Sequence, residues 1–345
     1  MNDNFLTGLF TDMSNADYHG HIHIGSSGFK LLQRSPLHFW TASPMNPERE
    51  PKQPSRIMLM GTAWHTGIWE PHLFEQSYGS KPDWHPATTK AKLLDVAVAD
   101  LDAFKARHVA VPDGLSKTSK EGKALLAELD AQGKVGVEEA ILNEVLKAAS
   151  SLQGRTLLAA DDLADVRKMA QAAADHPATR IIKSFPGGLG EASIFWVDQE
   201  TGAPCRIRPD WHVPPGVTEY FPDGLIIDGK SNDDSSREGF ARSVWNSEMF
   251  YQAAFYSDGF QAHYGTKKPP VFAWLGQERD APYATLYHAA PAILVEYGRR
   301  KYQPLLRLFA QCLSTGQWPG YPTDVCELEL QPWAHKTVME TLGAA

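Results

Sequence analysis

The sequence has few cysteines, no long hydrophobic run and no excess of positive charge. Its three cysteines, Cys205, Cys312 and Cys326, are an odd count at wide spacing. They exclude a disulfide framework, a zinc ribbon and a four-cysteine iron–sulfur set, and they point to a reducing cytosol. No apolar run reaches the roughly 18 residues of a membrane span. The start, Met1-Asn2-Asp3-Asn4, lacks the basic and apolar stretches of a secretory signal. A cytoplasmic protein with no membrane partner is expected. A net charge of −8 makes a generic polyanion binder a poor fit. A nucleic-acid function would need a local basic surface, and any acidic cluster would need a metal to neutralise it. Repeats and low-complexity segments are absent. So is a Gly-x-x-x-x-Gly-Lys-Ser/Thr loop, which argues against ATP hydrolysis. No Gly-x-Ser-x-Gly elbow is present, so Ser26, Ser27 and Cys205 are poor nucleophile candidates.

What is there is a chain that folds. Its 345 residues are 43% hydrophobic with ten Trp, enough to build a real core in one large domain or two modest ones. Residues 1–25 are polar and His-rich and read as an N-terminal loop or arm. A helix capped by Ser26 or Ser27 runs to Pro36, and the prolines of 42–56 mark a loop. Residues 57–79 read as a second helix, with Gly61 and Gly67 on close-packing faces and a break at Pro71. Residues 80–115 are mixed. Residues 117–175 are rich in Ala, Leu, Glu and Lys, with Asp161 and Asp162 capping a helix toward Asp175. From Phe185-Pro186-Gly187-Gly188 the pattern turns to strands, at 192–197, 203–209 and 225–228. One long helix is expected from Ser235 or Ser236 through Phe255, then strands at 270–276 and 282–288, then a helix at 291–314. This order predicts an α/β (α+β) fold, a central mixed sheet flanked by helices with a helical N-terminal part. The boundaries are a single domain over 26–335, with its helical part at 26–180 and its catalytic sheet and flanking helices at 185–315. Residues 336–345 read as a tail.

The chemistry gathers at 191–256. Glu191 opens one strand, Asp210 closes the next, and Asp228-Gly229-Lys230 ends the third. On a strand, residues i and i+2 share a face, so Asp228 and Lys230 point together and Gly229 points away. Three carboxylates converging at adjacent strand ends suit a hard cation, Mg²⁺ or Mn²⁺. A lysine beside them can orient or deprotonate water, or stabilise charge developing on a phosphoryl oxygen. Phosphodiester hydrolysis fits this set.

Glu191, Pro209-Asp210, Asp228-x-Lys230 and Gln252-x-x-x-Tyr256 resemble the PD-(D/E)XK nuclease superfamily in its RecB-like branch. The wording is closer still to the exodeoxyribonuclease VIII (RecE) nuclease domain and its phage relatives. The matching phrases include Ser26-Ser-Gly-Phe-Lys-Leu-Leu-Gln-Arg-Ser-Pro36, Met60-Gly-Thr-Ala-Trp-His-Thr-Gly67, Arg208-Pro-Asp-Trp211, Tyr251-Gln-Ala-Ala-Phe-Tyr-Ser-Asp-Gly259 and Gly316-Gln-Trp-Pro-Gly-Tyr321. The resemblance implies a PD-(D/E)XK core with a metal held by His65, Glu191, Asp210 and Asp228. It implies that Glu191, Asp210, Asp228, Lys230, Gln252 and Tyr256 are catalytic, the last two on one helix face toward active site and DNA. The implied activity is Mg²⁺-dependent 5′-to-3′ digestion of linear double-stranded DNA. It leaves 3′ single strands in a bacterial or phage-infected cytosol. A RecT-like single-strand annealing protein and a homo-oligomer are the implied partners. One departure stands out: the family usually has an apolar residue where this chain has Gly229.

Other residues carry weaker readings. Lys30, Arg34, Arg49, Lys52 and Arg56 outnumber Glu48 and Glu50 over 26–56, a candidate phosphate-contact patch. Of these, Lys30 and Arg34 are the candidate DNA contacts, with Arg206 and Arg208 on the strand leading to Asp210. His19, His21 and His23 alternate, which fits a metal site less well than a solvated or DNA-edge role. Trp318 and Tyr321 read as C-terminal packing. The competing functions are an AddB-like or CRISPR-adaptation-type nuclease, whose relatives commonly add four cysteines, and an inactive DNA-binding scaffold of the same fold.

Overall fold

Two sheets share one bent hairpin, and the carboxylates stand at the bend. The protein is described by a computed structural model covering residues 5–50 and 53–343. Within it, Leu189–Gly190 pairs with Trp211–Val213 in a five-stranded sheet. The same two chain segments pair again, as Ser193–Val197 with Pro204–Ile207, in a three-stranded sheet. Both pairings keep a single register, Gly190 opposite Trp211 and Ile194 opposite Ile207. Between them the ladder breaks. Pro209 has no N–H to give it, and Glu191 takes a left-handed backbone with φ of 50°. The Glu191 N–H still donates to the Asp210 carbonyl at 3.1 Å, which holds the two acids opposite each other.

The central strand of the larger sheet is Leu225–Asn232, parallel to Val271–Glu278 and antiparallel to Trp211–Val213. Its Leu225-Ile226-Ile227 run is buried on both faces, as a branched apolar run in a covered sheet should be. Ile226 joins a cluster with Phe255, Phe260 and Phe272, under the helix Phe250–Tyr264. Leu225 and Ile227 join Trp64, Trp69 and Val166, under the helices Arg56–Trp69 and Ala160–Asp175. A third cluster, around Leu94, Phe104 and Val145, lies apart within residues 89–152. Helices flanking a mixed sheet are the architecture expected from the order of elements.

Several local expectations need correction. The long helix from Ser236 is two helices, Arg237–Asn246 and Phe250–Tyr264. Glu248 between them has φ of 50°, and the turn is tied down from outside. Lys30 donates to the Ser247 carbonyl and Gln33 bonds Glu248 at 3.3 Å. Gly25, without a side-chain cap, occupies the N-cap of the Ser26–Arg34 helix, so neither Ser26 nor Ser27 does. Asp161 and Asp162 sit in the first turn of their helix behind Ala159, and Asp162 is taken by Arg56. Pro71 does break the chain, opening the next helix Pro71–Ser77. Gly67 is a close-packing glycine, since a Cβ there would lie 2.8 Å from the Ala170 Cβ; Gly61 instead faces a cleft. Residues 1–25 are more than an arm. Gly8–Phe10 pairs with Ser193–Phe195 as an edge strand, and Asn15–Gly20 is helical. The expected tail begins inside an exposed helix, Pro332–Thr341. Among the described residues no helix is long and apolar enough to cross a membrane.

Candidate active site

The registers put Glu191 opposite Asp210 and, one step on from the Ile227–Trp211 pair, Asp210 opposite Asp228. The three acids therefore form one row across neighbouring strands. Helix Arg56–Trp69 delivers His65 from above the row, its Nδ1 2.9 Å from Asp210 Oδ2. The backbone N–H of Gly229 donates to the same oxygen. Lys230 pairs with Asp228 Oδ1, as the shared strand face predicts, and Gln252 Nε2 donates to Asp228 Oδ2 at 2.5 Å. His65, Glu191, Asp210 and Lys230 line a cleft of about 1070 Å³, while the buried Asp228 is not part of its lining.

Burial and charge act against each other here. Burial and then the neighbouring Asp210 push the Glu191 carboxyl up to about 8. Burial raises Asp228 to about 6 in spite of Lys230. Burial also acts to raise Asp210, but His65, Lys230 and the Gly229 N–H outweigh it and hold that carboxyl below its ordinary value. For Lys230, burial favours the neutral amine and is outweighed by Asp228 and Asp210, so the ammonium is retained. A group held as an ammonium stabilises negative charge and does not act as a base at neutral pH.

One nitrogen of His65 and one oxygen each of Glu191 and Asp210 lie within 4.8 Å of one another. Two carboxylates that face each other, Asp210 buried and Glu191 half-buried and raised to about 8, form a donor set short of a cation. That chemistry fits Mg²⁺ or Mn²⁺. Asp228, expected as a fourth ligand, lies outside this cluster, its two oxygens engaged by Lys230 and Gln252.

The Glu191 shift has a consequence for stability. A carboxyl raised in the folded state stabilises the fold when protonated, and that contribution is lost as pH rises toward about 8. Between pH 6 and 8, metal-free wild type should therefore lose at least about 1 kcal/mol relative to Glu191→Gln. Parallel chemical denaturation at the two pH values measures it; equal pH slopes would mean that Glu191 is not perturbed.

Other expected site residues are placed differently. Tyr256 is 8% exposed, and its hydroxyl donates to the Arg208 carbonyl at 3.3 Å. It supports the Arg208-Pro209-Asp210 segment as a positioning residue and does not line the cleft. Tyr256→Phe should lower stability by about 1 kcal/mol, the worth of one buried hydrogen bond. Activity should fall with it but far less than on loss of Lys230, as melting curves and initial rates will show. Arg206 is also buried. It donates to the Tyr18 and His21 carbonyls and lies over the Tyr18 ring, so it fastens the N-terminal segment and does not line the cleft. Arg208 bonds Ser193 Oγ at 2.7 Å and the Met13 carbonyl at 3.0 Å while lining the cleft. Lys30 and Arg34 are exposed, Lys30 engaged by Ser247. Arg56 is committed to Asp162, and Lys52 lies outside the described residues. His21 and His23 pack their rings on Phe195, while His19 lines the cleft. Trp318 stacks on Phe39 and Trp40, the packing role expected of it. Sequence reasoning missed Glu70 on the cleft wall; its place just before the helix-opening Pro71 was the available signal.

The family described as a PDDEXK-like domain of unknown function (DUF3799) matches residues 25–332. The chain belongs to this family. The family places it in the PD-(D/E)XK nuclease superfamily, to which the acid row and Lys230 had pointed. A crystal structure named "Putative exonuclease", from Eubacterium rectale, is similar at 10% identity with a TM-score of 0.47, over 97% of this chain and 100% of that one. No curated protein matches the sequence.

Proposed function

We propose that this PDDEXK-like protein is a Mg²⁺-dependent exonuclease that digests linear double-stranded DNA from 5′ to 3′. The 3′ single strands it leaves would feed recombination by single-strand annealing. The observation that carries the reading is the row of Glu191, Asp210 and Asp228 with Lys230 and His65, of which all but Asp228 line one cleft. Polarity, a RecT-like annealing partner and a homo-oligomer rest on the resemblance of the quoted motifs to the RecE nuclease domain.

His65, Glu191 and Asp210 would hold the divalent cation, which supplies positive charge to phosphate oxygens and makes water more acidic. Lys230 offers an ammonium to the negative charge that develops on the phosphoryl group. Asp228 keeps that ammonium charged, and Gln252 fixes Asp228. The Gly229 N–H fixes Asp210, and Tyr256 holds the backbone that carries it. Arg208, which lines the cleft, would meet a phosphate.

The test uses duplex DNA labelled at its 5′ or 3′ ends, linear or covalently closed, with and without Mg²⁺. Linear DNA should be degraded only with Mg²⁺, with the 5′ label released first, and closed circles should survive. Degradation of closed circles would indicate an endonuclease. Binding with no degradation under Mg²⁺ or Mn²⁺ would indicate an inactive scaffold.

A further inference from the structure

One margin of the five-stranded sheet is open. The strand Thr285–Ala289 pairs with Val271–Glu278 on one side and is the last strand of the sheet. The Glu278 N–H donates to the Ala284 carbonyl and the Ala290 N–H to the Phe272 carbonyl, which sets the parity of the ladder. Leu286 and His288 therefore bond inward, and the N–H and C=O groups of Thr285, Tyr287 and Ala289 point outward. Among the described residues these outward groups have no partner. Such an edge is a template for another strand unless lysine or proline blunts it, and Thr-Leu-Tyr-His-Ala contains neither. Exposed apolar side chains stand close by. Ile293, 81% exposed, opens the helix that follows the strand, and Tyr297 one turn on stacks with the exposed Trp245.

The same chain carries a segment with the matching need. Trp318 and Tyr321 rest on Phe39, Trp40 and His38, and beyond them every residue of 322–330 is exposed. Asp324-Val325-Cys326-Glu327-Leu328-Glu329-Leu330 has the period of a strand, with Cys326, Leu328 and Leu330 on one side and Glu327 and Glu329 on the other. Among the described residues no backbone group of 325–330 is hydrogen-bonded, and Leu328 is 83% exposed. The helix Pro332–Thr341 then holds Trp333 and Val338 in solvent as well. The segment starts too far away to cover its own edge. Trp318 packs on Phe309, sixteen residues or about 24 Å along the helix from Ile293. Tyr321 is held at His38, and the four residues from there to Val325 span at most about 14 Å.

We propose that residues 324–330 of one copy add as a strand to the open Thr285–Ala289 edge of a second copy, and that the helix after them covers Ile293, Trp245 and Tyr297 of that copy. Backbone bonds supply the pairing, and the apolar side chains of the arm leave water. This gives the homo-oligomer of the proposed function an interface. The test contains no DNA, so its failure leaves the cleavage experiment to decide the nuclease reading. It compares the full-length wild type with a Glu327→Pro/Leu328→Pro variant, by sedimentation and by amide hydrogen exchange. Two adjacent prolines remove an N–H from each side of the segment, at positions where the body of the fold has no contact to lose. Wild type should sediment as more than one copy and the variant as a monomer. The outward amides of Thr285, Tyr287 and Ala289 should exchange at least about tenfold more slowly in wild type than in the variant. The inward amides of Leu286 and His288 should stay protected in both, which shows that the sheet is intact. Dilution of wild type to the monomer should release the outward amides alone. Monomeric wild type would overturn the proposal, whether its outward amides exchange freely or are protected by its own arm. So would an oligomer whose size and outward-amide protection survive the two prolines.

Discussion

Lys230→Ala and Asp228→Asn are each expected to slow digestion of linear duplex DNA by at least about a hundredfold, or about 3 kcal/mol of barrier. Lys230 pairs with Asp228 within the acid row, and Asp228 is 3% exposed. Removing the ammonium leaves that carboxyl beside Asp210 without its paired counter-charge. Because burial has already raised Asp228 to about 6, it can take up a proton with little further cost, so the fold should survive. Asp228→Asn keeps the shape and a partner for Gln252 but releases Lys230 from its clamp. In both variants the lost function should therefore exceed any lost stability. Initial rates on end-labelled DNA and thermal melts measure the two separately. A near-wild-type rate in either variant would remove the pair from the reaction.

The strand pattern was legible because its causes are local. Apolar runs bounded by Gly and Pro mark the strands read at 192–197, 203–209 and 225–228, which form over 193–197, 204–207 and 225–232, and the period of two alone places Lys230 beside Asp228. The bend at Glu191 was not legible. A left-handed glutamate is set by the pairing partner across the hairpin, which no window of sequence contains. The same holds for the arginines. Arg206 and Arg208 alternate on a strand near the acids, and charge alone suggests DNA. Their actual partners, Tyr18, His21 and Met13, come from a segment nearly 200 residues earlier that packs as an edge strand and helix. Tyr256 was expected to face active site and DNA beside Gln252, but its hydroxyl meets the Arg208 carbonyl because the hairpin bend brings that carbonyl to the helix. His65 gained a role only from the words around it. Its distance to Asp210 depends on a helix packing over the sheet, a tertiary fact.

Gly229 shows how such a tertiary fact can explain a departure from the family pattern, where an apolar residue is usual. A Cβ at position 229 would lie 2.9 Å from two ring atoms of Trp64 and 3.3 Å from Asp210 Oδ2. Trp64 is fully buried among the residues that cover the sheet. The glycine thus makes room for a tryptophan on the helix that carries His65, and it lets Asp210 approach the Gly229 N–H. Gly229→Val should overpack this contact at a cost of about 1–3 kcal/mol. It should also push Asp210 away from His65, lowering cleavage by more than the stability loss explains. Trp64→Leu by itself opens a cavity and should be destabilising too. Combined with Gly229→Val, the smaller leucine leaves space for the new side chain, so the double variant should melt above Gly229→Val and show coupling of at least about 0.5 kcal/mol. Part of the activity should return with it, since His65 and Asp210 regain their spacing. Strictly additive losses, or a Gly229→Val protein that melts like wild type, would show that Trp64 is not what keeps this position a glycine.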